Sequence, residues 1–237
     1  MKARAARLRR IGDAPAPKLD FAKWIVFEDD WLVAVDKPAG VLSQGGEGGA
    51  GVNVVDLARA YTKKPSVGVL HRIDRNVSGV VLIAKDHGIA SAMTKLFAKG
   101  DVERVYRAVV RGSPKEDAFT MSAWLKKDPR TNEVRAKDDP KGDRDYRPAR
   151  TEARVLRRFR AYAELEVRPI TGRSHQIRVH LAHAGLPIVG DPKYGVAAPA
   201  VNRPLLHAER VSFVHPRTRK RVTIEAPIPW KEDVLRR

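Results

Sequence analysis

Residues 71–79, with the sequence HRIDRNVSG, combine one carboxylate with three basic side chains in a single turn-like segment. Asp74 stands among His71, Arg72 and Arg75, so its charge has partners nearby in the chain. A carboxylate placed in this way can act as a nucleophile. The same pattern also suits an aspartate that caps a turn and pairs with a neighbouring arginine, and for an isolated aspartate this second interpretation is favoured. The rest of the chain has to decide between them.

Histidines at 175, 180 and 183 form a second group that could carry chemistry, because imidazole is a common metal ligand. His180 and His183 can share one helical face. The spacing differs from the His-Glu-x-x-His pattern of zinc hydrolases, and no acidic residue falls among the three. A metal-dependent hydrolase is therefore a third-ranked hypothesis and no metal site is predicted. We expect these histidines to orient backbone or to contact phosphate.

The charge balance points to the class of partner. The chain carries 46 Lys and Arg against 28 Asp and Glu, a formal net charge of +18. A small-molecule enzyme has no need of such an excess, which destabilises a compact protein by self-repulsion. A polyanionic partner explains the charge, with RNA or DNA ahead of an anionic membrane surface.

Several classes of protein are excluded by what the sequence lacks. It has no cysteine, which rules out disulfides, thiolate catalysis and Cys-ligated zinc fingers. It has no run approaching the roughly 18 consecutive apolar residues of a membrane-spanning helix. Residues 1–10 lack the apolar core of a secretory signal. We therefore expect a cytoplasmic protein with no membrane partner.

The elements that must position these residues follow from periodicity and turn chemistry. Residues 1–20 predict a basic, flexible arm, and residues 127–148, rich in Asp and Pro, predict an exposed loop or hairpin. The patterns predict strands at 31–35, 80–84, 102–110, 151–159, 163–170, 211–214 and 221–226. They predict helices at 54–61, near 89–97, and between Ser174, the expected cap, and Gly185. Strands and helices do not alternate strictly, which favours an α+β fold over a doubly wound parallel sheet.

Two local predictions follow. Asn53 is expected to cap the helix at 54–61, with Asp56 placed for a reciprocal cap. Alternation along the strand at 102–110 puts Tyr106 and Arg107 on opposite faces of a sheet.

Taken together, the longer motifs resemble those of the RluA-type pseudouridine synthases. The matching segments are HRID with Ser78-Gly79, GRSHQIRVHL at 172–181, PIVGD at 187–191 and LHA at 206–208, preceded by DKPAG at 36–40 and followed by HP at 215–216 and APIP at 226–229. Their order and spacing also fit, and the likeness extends over about residues 21–230. The resemblance reverses the preference at Asp74 in favour of catalysis.

The resemblance implies a role for each matching residue. In this family the aspartate of the His-Arg-x-Asp motif attacks the target uridine, the glycosidic bond breaks, and the base rotates and reattaches through carbon 5. Asp74 is the expected nucleophile, Arg173 its ion-pair partner, and Tyr106 the ring that stacks on the uracil. Arg72 is expected to fill the gap left by the flipped nucleotide. Further RNA-binding candidates are His71, Arg75, Ile177 at the pocket floor, and Arg178.

The implied protein is a single catalytic domain at 21–237, built on a bent, largely antiparallel mixed sheet with flanking helices and a central basic cleft. Many relatives carry an N-terminal S4 RNA-binding domain, for which the 20 or so residues before the first strand leave no room. RNA is the expected partner, ribosomal or transfer, of a monomer that needs no cofactor. Residues 126–160 are a candidate for additional RNA contacts. The main rival is a catalytically silent RNA-binding protein on the same scaffold.

Overall fold

The computed structural model of the chain describes residues 20–45, 51–198 and 201–230. The basic arm predicted at 1–20 lies outside them except for Asp20. Strands in the described part are β1 (Ile25–Glu28), β2 (Leu32–Lys37), β3 (Gly68–Val69), β4 (Ser78–Ala84), β5 (Glu103–Arg111), β6 (Ala118–Asp128), β7 (Glu133–Lys137), β8 (Arg147–Arg158), β9 (Tyr162–Pro169), β10 (Leu206–Val214) and β11 (Arg221–Glu225). The helices are α1 (Val54–Thr62), α2 (His87–Lys99) and α3 (Gln176–His183), after a short 3₁₀ turn at Phe21–Trp24.

These strands form one sheet in the order β1-β2-β4-β10-β5-β9-β8-β6-β7, with β11 added to β10 and β3 to β4. Among the described strands only β4 and β10 run parallel. The α+β class and the largely antiparallel sheet are therefore confirmed. β6 and β7 form the hairpin that the exposed segment at 127–148 predicted. None of the described helices is long and apolar enough to cross a membrane.

Local capping chemistry explains where α1 and α2 begin and end. The Asn53 side chain accepts a hydrogen bond from the Asp56 backbone amide, as predicted, and its own amide donates to the Asp56 carboxylate. α2 buries Ile89 and Met93 and ends at Gly100, whose φ of 82° is the left-handed conformation that closes many helices.

The start of α3 differs from the prediction. Ser174 was expected to cap this helix, but the capping position is His175, which adopts a left-handed backbone with φ 53° and makes no side-chain cap. The Gln176 side chain replaces the serine as anchor of this turn: its carbonyl oxygen accepts from the Arg173 amide and the Thr171 hydroxyl. The turn is thereby pinned by a residue inside the helix.

The two faces of the sheet bury separate apolar clusters. α2 covers one face over β2, β4, β10 and β11, where Leu82, Met93 and Phe213 are fully buried. α1 and α3 cover the opposite face, where Val81 and Leu181 belong to the larger cluster. A cleft opens on that second face, at the start of α3.

β10 brings the Asp74 segment to Tyr106. Ala208 of β10 pairs with Gly79 at the start of β4 on one side and with Tyr106 of β5 on the other. The turn carrying Asp74 directly precedes β4, so this single register places the carboxylate and the phenol at one end of three adjacent strands. The conformation of Gly79 makes the register possible, with a φ of 117°.

We predict that Gly79→Ala destabilises the protein by about 3 kcal/mol or more, because a methyl group there would overlap the carbonyl oxygen and nitrogen of Ala208. Gly100→Ala is the matched control, since that residue also has positive φ but open space around it. It should lose only about 1 to 2 kcal/mol from backbone strain. Urea unfolding of both variants measures the difference, and equal losses would contradict the role given to the Gly79 contact.

Candidate active site

Asp74 lies in a cleft of about 650 Å³ at the start of α3. Its walls come from the turn at 71–77, from β5, from the turn and helix at 169–178, and from the β6–β7 hairpin. The cationic side chains lining it are Arg72, Arg75, Arg104, Lys127, Arg173, Arg178 and Lys193. Within the described residues, Asp74 supplies the cleft's sole carboxylate. The cleft is therefore basic around one anionic group.

The Asp74 carboxylate is held by Arg178. Nη1 of Arg178 donates to Asp74 Oδ2 at 2.7 Å. The same guanidinium makes a two-pronged contact with Asp191, from Nε at 2.7 Å and Nη2 at 2.8 Å. Burial alone would lower the pKa of Arg178, but the hydrogen bonds and charges of Asp191 and Asp74 raise it, so the cation is permanent. Asp74 keeps Oδ1 free of direct hydrogen bonds in the described part of the chain.

Asp191 anchors Arg178 in turn. Its side chain has no exposed surface, and its Oδ1 also accepts the backbone amides of Lys193 and Tyr194. Burial would raise the pKa of Asp191, but the contact with Arg178 lowers it below its usual value. A charged aspartate at the end of the PIVGD motif therefore fixes the arginine that holds Asp74.

The prediction that Arg173 pairs with Asp74 is wrong. Arg173 lines the same cleft, but its side chain is exposed and its Nε donates to the Pro148 carbonyl at 3.3 Å. Arg178, predicted as an RNA contact, is 7% exposed and is engaged by two carboxylates instead. The reason is geometric: Arg173 lies on the turn before α3, whereas Arg178 projects from the first turn of the helix into the cleft.

Lys37 secures the turn that carries Asp74, a role that the sequence reasoning missed. This fully buried amine donates to three carbonyl oxygens, those of Pro38 at 2.9 Å, Val41 at 2.8 Å and Arg75 at 3.1 Å. Burial lowers the pKa of Lys37 to about 7, with the negative charge of Asp74 opposing the shift. The DKPAG motif is part of the resemblance, but no local pattern indicates that its lysine points inward.

Tyr106 lies in the cleft wall and is 8% exposed. It shares this face of β5 with Arg104, whereas Arg107 on the opposite face binds Glu209, as the alternation predicted. Burial raises the pKa of Tyr106, so its hydroxyl stays protonated near neutral pH. Tyr106 therefore lines the same cavity as Asp74.

His71 was predicted to contact RNA, but its imidazole instead makes contacts within the protein. Its Nε2 accepts a hydrogen bond from the Leu82 amide at 3.2 Å, and its ring packs 5.4 Å from that of Phe97. Burial lowers the pKa of His71 to about 3, with a smaller contribution from the Arg104 charge. A neutral ring that accepts a backbone amide anchors the turn and offers no positive charge to phosphate.

The other predicted contacts are accessible to different degrees. Arg72 is exposed and has no hydrogen-bond or ion-pair partner among the described residues. Arg75 is exposed but tied to the preceding turn, since its Nε donates to the Gly40 carbonyl at 2.9 Å. Ile177 is 7% exposed and belongs both to the core cluster and to the cleft lining. Of these three, Arg72 has the side chain with the greatest freedom to move.

The three histidines considered for a metal site face different partners. His180 Nδ1 contacts the Thr151 hydroxyl at 2.9 Å, and His183 Nε2 contacts Asp138 at 2.8 Å on the surface. His175 contacts the Tyr194 hydroxyl at 2.8 Å. The three side chains therefore contact different parts of the protein: His180 the buried core, His183 the surface and His175 the cleft.

The cleft is lined by cationic side chains that have no carboxylate partner. On the opposite face of the sheet some arginines are paired with glutamates, as in Arg107 with Glu209 at 2.6 Å and Arg168 with Glu166 at 3.0 Å. Among the described residues, Arg72, Arg75, Arg104, Lys127, Arg173 and Lys193 line the cleft without a carboxylate partner. The cleft is therefore the face suited to a polyanion.

Three histidines with lowered pKa values make the fold sensitive to acid. Burial lowers the pKa of His180 and of His207 to about 4 and that of His71 to about 3, below the value near 6.5 expected in the unfolded chain. Between pH 6.5 and 4 the unfolded state therefore binds more protons, so the free energy of unfolding falls on acidification by about 1.4 kcal/mol per pH unit for each fully titrating group. Urea unfolding at pH 7 and pH 5 measures this slope. His180→Asn should reduce the slope by the contribution of one group, whereas His87→Asn, at an exposed position, should leave the slope as in the parent.

Comparisons with known proteins show which family this chain resembles. The model of the RNA pseudouridylate synthase family matches residues 31–183. The ribosomal large subunit pseudouridine synthase D of Xanthomonas campestris pv. campestris is 37% identical over 230 residues, covering 90% of this chain and 67% of the relative. The corresponding synthase C of Vibrio vulnificus is 33% identical, covering 91% and 70%. Human RNA Pseudouridylate Synthase Domain Containing 4 shares the fold, with a TM-score of 0.72 and 22% identity over 88% of this chain and 90% of that chain.

Proposed function

This chain belongs to the RNA pseudouridylate synthase family, and from that premise we propose that Asp74 is the nucleophile of an enzyme that isomerises uridine in structured RNA. The activity is that of an RNA pseudouridine synthase, an isomerase, and its substrate is RNA. The assignment of Asp74 rests on the groups that surround its carboxylate. It is the carboxylate of an otherwise cationic cleft, with Oδ2 held by Arg178 and Oδ1 open toward the cavity.

In the proposed mechanism each of four cleft residues has its own role. Asp74 attacks C1′ of the target ribose as the bond between C1′ and N1 of uracil breaks. The freed base then rotates, and C5 bonds to C1′ as the Asp74 carboxylate leaves. The hydrogen on C5 is then lost and N1 gains one. Tyr106 stacks on the base from the cleft wall. Arg178 keeps the carboxylate oriented, and Ile177 closes the pocket floor. These steps require neither a metal ion nor an organic cofactor.

Structured RNA hides its bases, so the target uridine has to leave its stack. We propose that Arg72 occupies the space it vacates, because this exposed guanidinium is unengaged in the described structure and borders the cleft. Arg75 and Arg173 would contact phosphates at the rim. The β6–β7 hairpin supplies Lys127 and Asn132 to the same rim, which supports the proposal that residues 126–160 contribute RNA contacts.

The relatives' names point to large-subunit ribosomal RNA, and we propose it as the first target to test, with transfer RNA second. We propose further that residues 21–237 act as one catalytic domain, as a monomer in the cytoplasm. The decisive experiment maps pseudouridines chemically in cellular RNA with and without this gene. Loss of specific ribosomal sites is expected. A profile unchanged in both RNA classes would contradict the proposal and favour a silent RNA-binding protein.

A further inference from the structure

His175 faces the proposed nucleophile from the side opposite Arg178. Its Nε2 lies 3.9 Å from Asp74 Oδ1, whereas Arg178 holds Oδ2. The backbone of His175 has a φ of 53°, in the left-handed region. A side chain with a Cβ costs about 1 to 2 kcal/mol there, and such strain is characteristic of functional sites.

The Tyr194 hydroxyl determines which nitrogen of His175 carries the proton. Tyr194 Oη accepts the Val134 backbone amide at 2.8 Å and lies 2.8 Å from His175 Nδ1. A phenol that already accepts one hydrogen bond has its own proton to donate, here to Nδ1. The neutral imidazole then carries its proton on Nε2, which points toward Asp74.

Tyr194 is itself held rigidly. Its backbone amide donates to Asp191, and its ring lies under the Arg178 guanidinium, 5.0 Å from Cζ to the ring centre. The charged groups around His175 are Asp74 from the turn before β4, Arg178 on α3, Lys193 on the following loop and Lys127 on β6. Burial lowers the pKa of His175, with Asp74 opposing and the three cations reinforcing the shift. The ring is therefore neutral near pH 7.

We propose that His175 is a positioning residue for the nucleophile, with Tyr194 fixing its tautomer; this rests on the proposed function of Asp74. Arg178 grips one oxygen and leaves the carboxylate free to turn about its last torsion. The Nε2–H group limits that rotation from the other side. At 3.9 Å it does not form a direct hydrogen bond with Oδ1, so the attacking oxygen remains available to the ribose. The other tautomer would present a lone pair to the carboxylate and repel it.

Two substitutions at 175 separate this role from a structural one. His175→Asn suits a left-handed backbone and keeps an acceptor for Tyr194, but it removes the donor at Nε2. We expect kcat to fall about 10- to 100-fold with KM for RNA unchanged, because the nucleophile loses its orientation. His175→Gln extends an amide donor toward the Nε2 position and should recover part of the loss. Full turnover by His175→Asn, or no recovery with glutamine, would count against the proposal.

The pH dependence of Tyr194→Phe supplies a readout that a structural role would not produce. Without the phenol, part of the neutral His175 population carries its proton on Nδ1, and acidification restores a proton on Nε2. The ratio of mutant to parent kcat should therefore rise as the pH falls from 8 to 5.5. Tyr61→Phe, an exposed tyrosine on α1 that contacts Glu28, is the control and should give a constant ratio. A constant ratio for Tyr194→Phe would overturn the tautomer argument.

The assay uses a large-subunit ribosomal RNA transcript that carries tritium on C5 of uridine. Joining C5 to the ribose releases that hydrogen, so tritium in water measures turnover. Asp74→Ala is run in parallel. If Asp74→Ala is inactive and His175→Asn is fully active, only the positioning proposal fails. If Asp74→Ala remains active, the proposed function of Asp74 fails instead.

Discussion

Substituting Asp74 with alanine is expected to abolish isomerisation while RNA binding persists. Removing a nucleophile typically costs a factor of roughly 10⁴ or more in turnover, because no other group can form the bond. The affinity for RNA rests mainly on phosphate contacts, which come from the cleft's lysines and arginines. Asp74 is the carboxylate among those cations, so its loss should leave the affinity equal or slightly higher. Tritium release measures turnover, and fluorescence anisotropy at fixed salt measures binding.

The fold of Asp74→Ala should survive, because Arg178 keeps its paired contact with Asp191. Asp74→Asn provides a variant of nearly identical shape and should be equally inactive. Asp101→Ala is the control for loss of a carboxylate, since Asp101 is exposed between α2 and β5 and does not line the cleft. It should retain parental turnover. Turnover by Asp74→Ala comparable to that of the parent would refute the nucleophile assignment.

Substituting Arg178 with alanine is expected to remove both activity and a large part of the stability. Asp191 has no exposed side-chain surface and would keep a buried charge without its guanidinium. Breaking a buried ion pair by removing one partner costs about 3 to 5 kcal/mol. Asp74 would lose the contact that orients Oδ2, so the remaining folded enzyme should also be inactive. Urea unfolding and tritium release measure the two effects separately.

Arg173→Ala is the matched control, because it removes an arginine from the same cleft and the same motif. Arg173 is exposed and makes a 3.3 Å bond to the Pro148 carbonyl. Its removal should change the free energy of unfolding by no more than about 0.5 kcal/mol and weaken RNA binding modestly. If Arg173→Ala proved the more destabilising of the two, the ion pair described for Arg178 would have to be abandoned.

Arg178→Lys tests whether a positive charge at position 178 is enough for stability and activity. An ammonium cannot reproduce the two-pronged contact with Asp191 while also reaching Asp74. We expect this variant to be more stable than Arg178→Ala yet far less active than the parent. Recovery of full turnover with lysine would mean that orientation of the Asp74 carboxylate matters little.

Much of the site could be predicted from the sequence because it depends on short-range chemistry. Alternation along β5 assigned Tyr106 and Arg107 to opposite faces, and the Asn53 cap located the start of α1. The carboxylate at 74 stood out because basic residues flank it within one short turn. Such patterns involve residues only a few positions apart in the chain, and the structure shows the local features that they predict.

The choice between Arg173 and Arg178 illustrates what the sequence left open. Both lie in the GRSHQIR segment, and either guanidinium has the chemistry to hold a carboxylate. The contact that forms joins residues 104 positions apart, Asp74 and Arg178. It depends on the direction of α3, which brings the Arg178 guanidinium to Asp74, whereas Arg173, on the turn before the helix, contacts the Pro148 carbonyl instead. No local pattern fixes that direction.

The sequence by itself determined the family and the largely antiparallel fold, because its motifs match those of a known family in order and spacing. Periodicity and turn chemistry indicated the α+β class, and the motifs pointed to Asp74, the proposed nucleophile. Only the tertiary structure showed which cation holds Asp74, that Lys37 stabilises the turn carrying it, and that His71 accepts a backbone hydrogen bond. The physical reason is that a partner at hydrogen-bond distance is selected by sheet register and helix rotation. Both depend on packing across the whole domain and cannot be inferred from residue types alone.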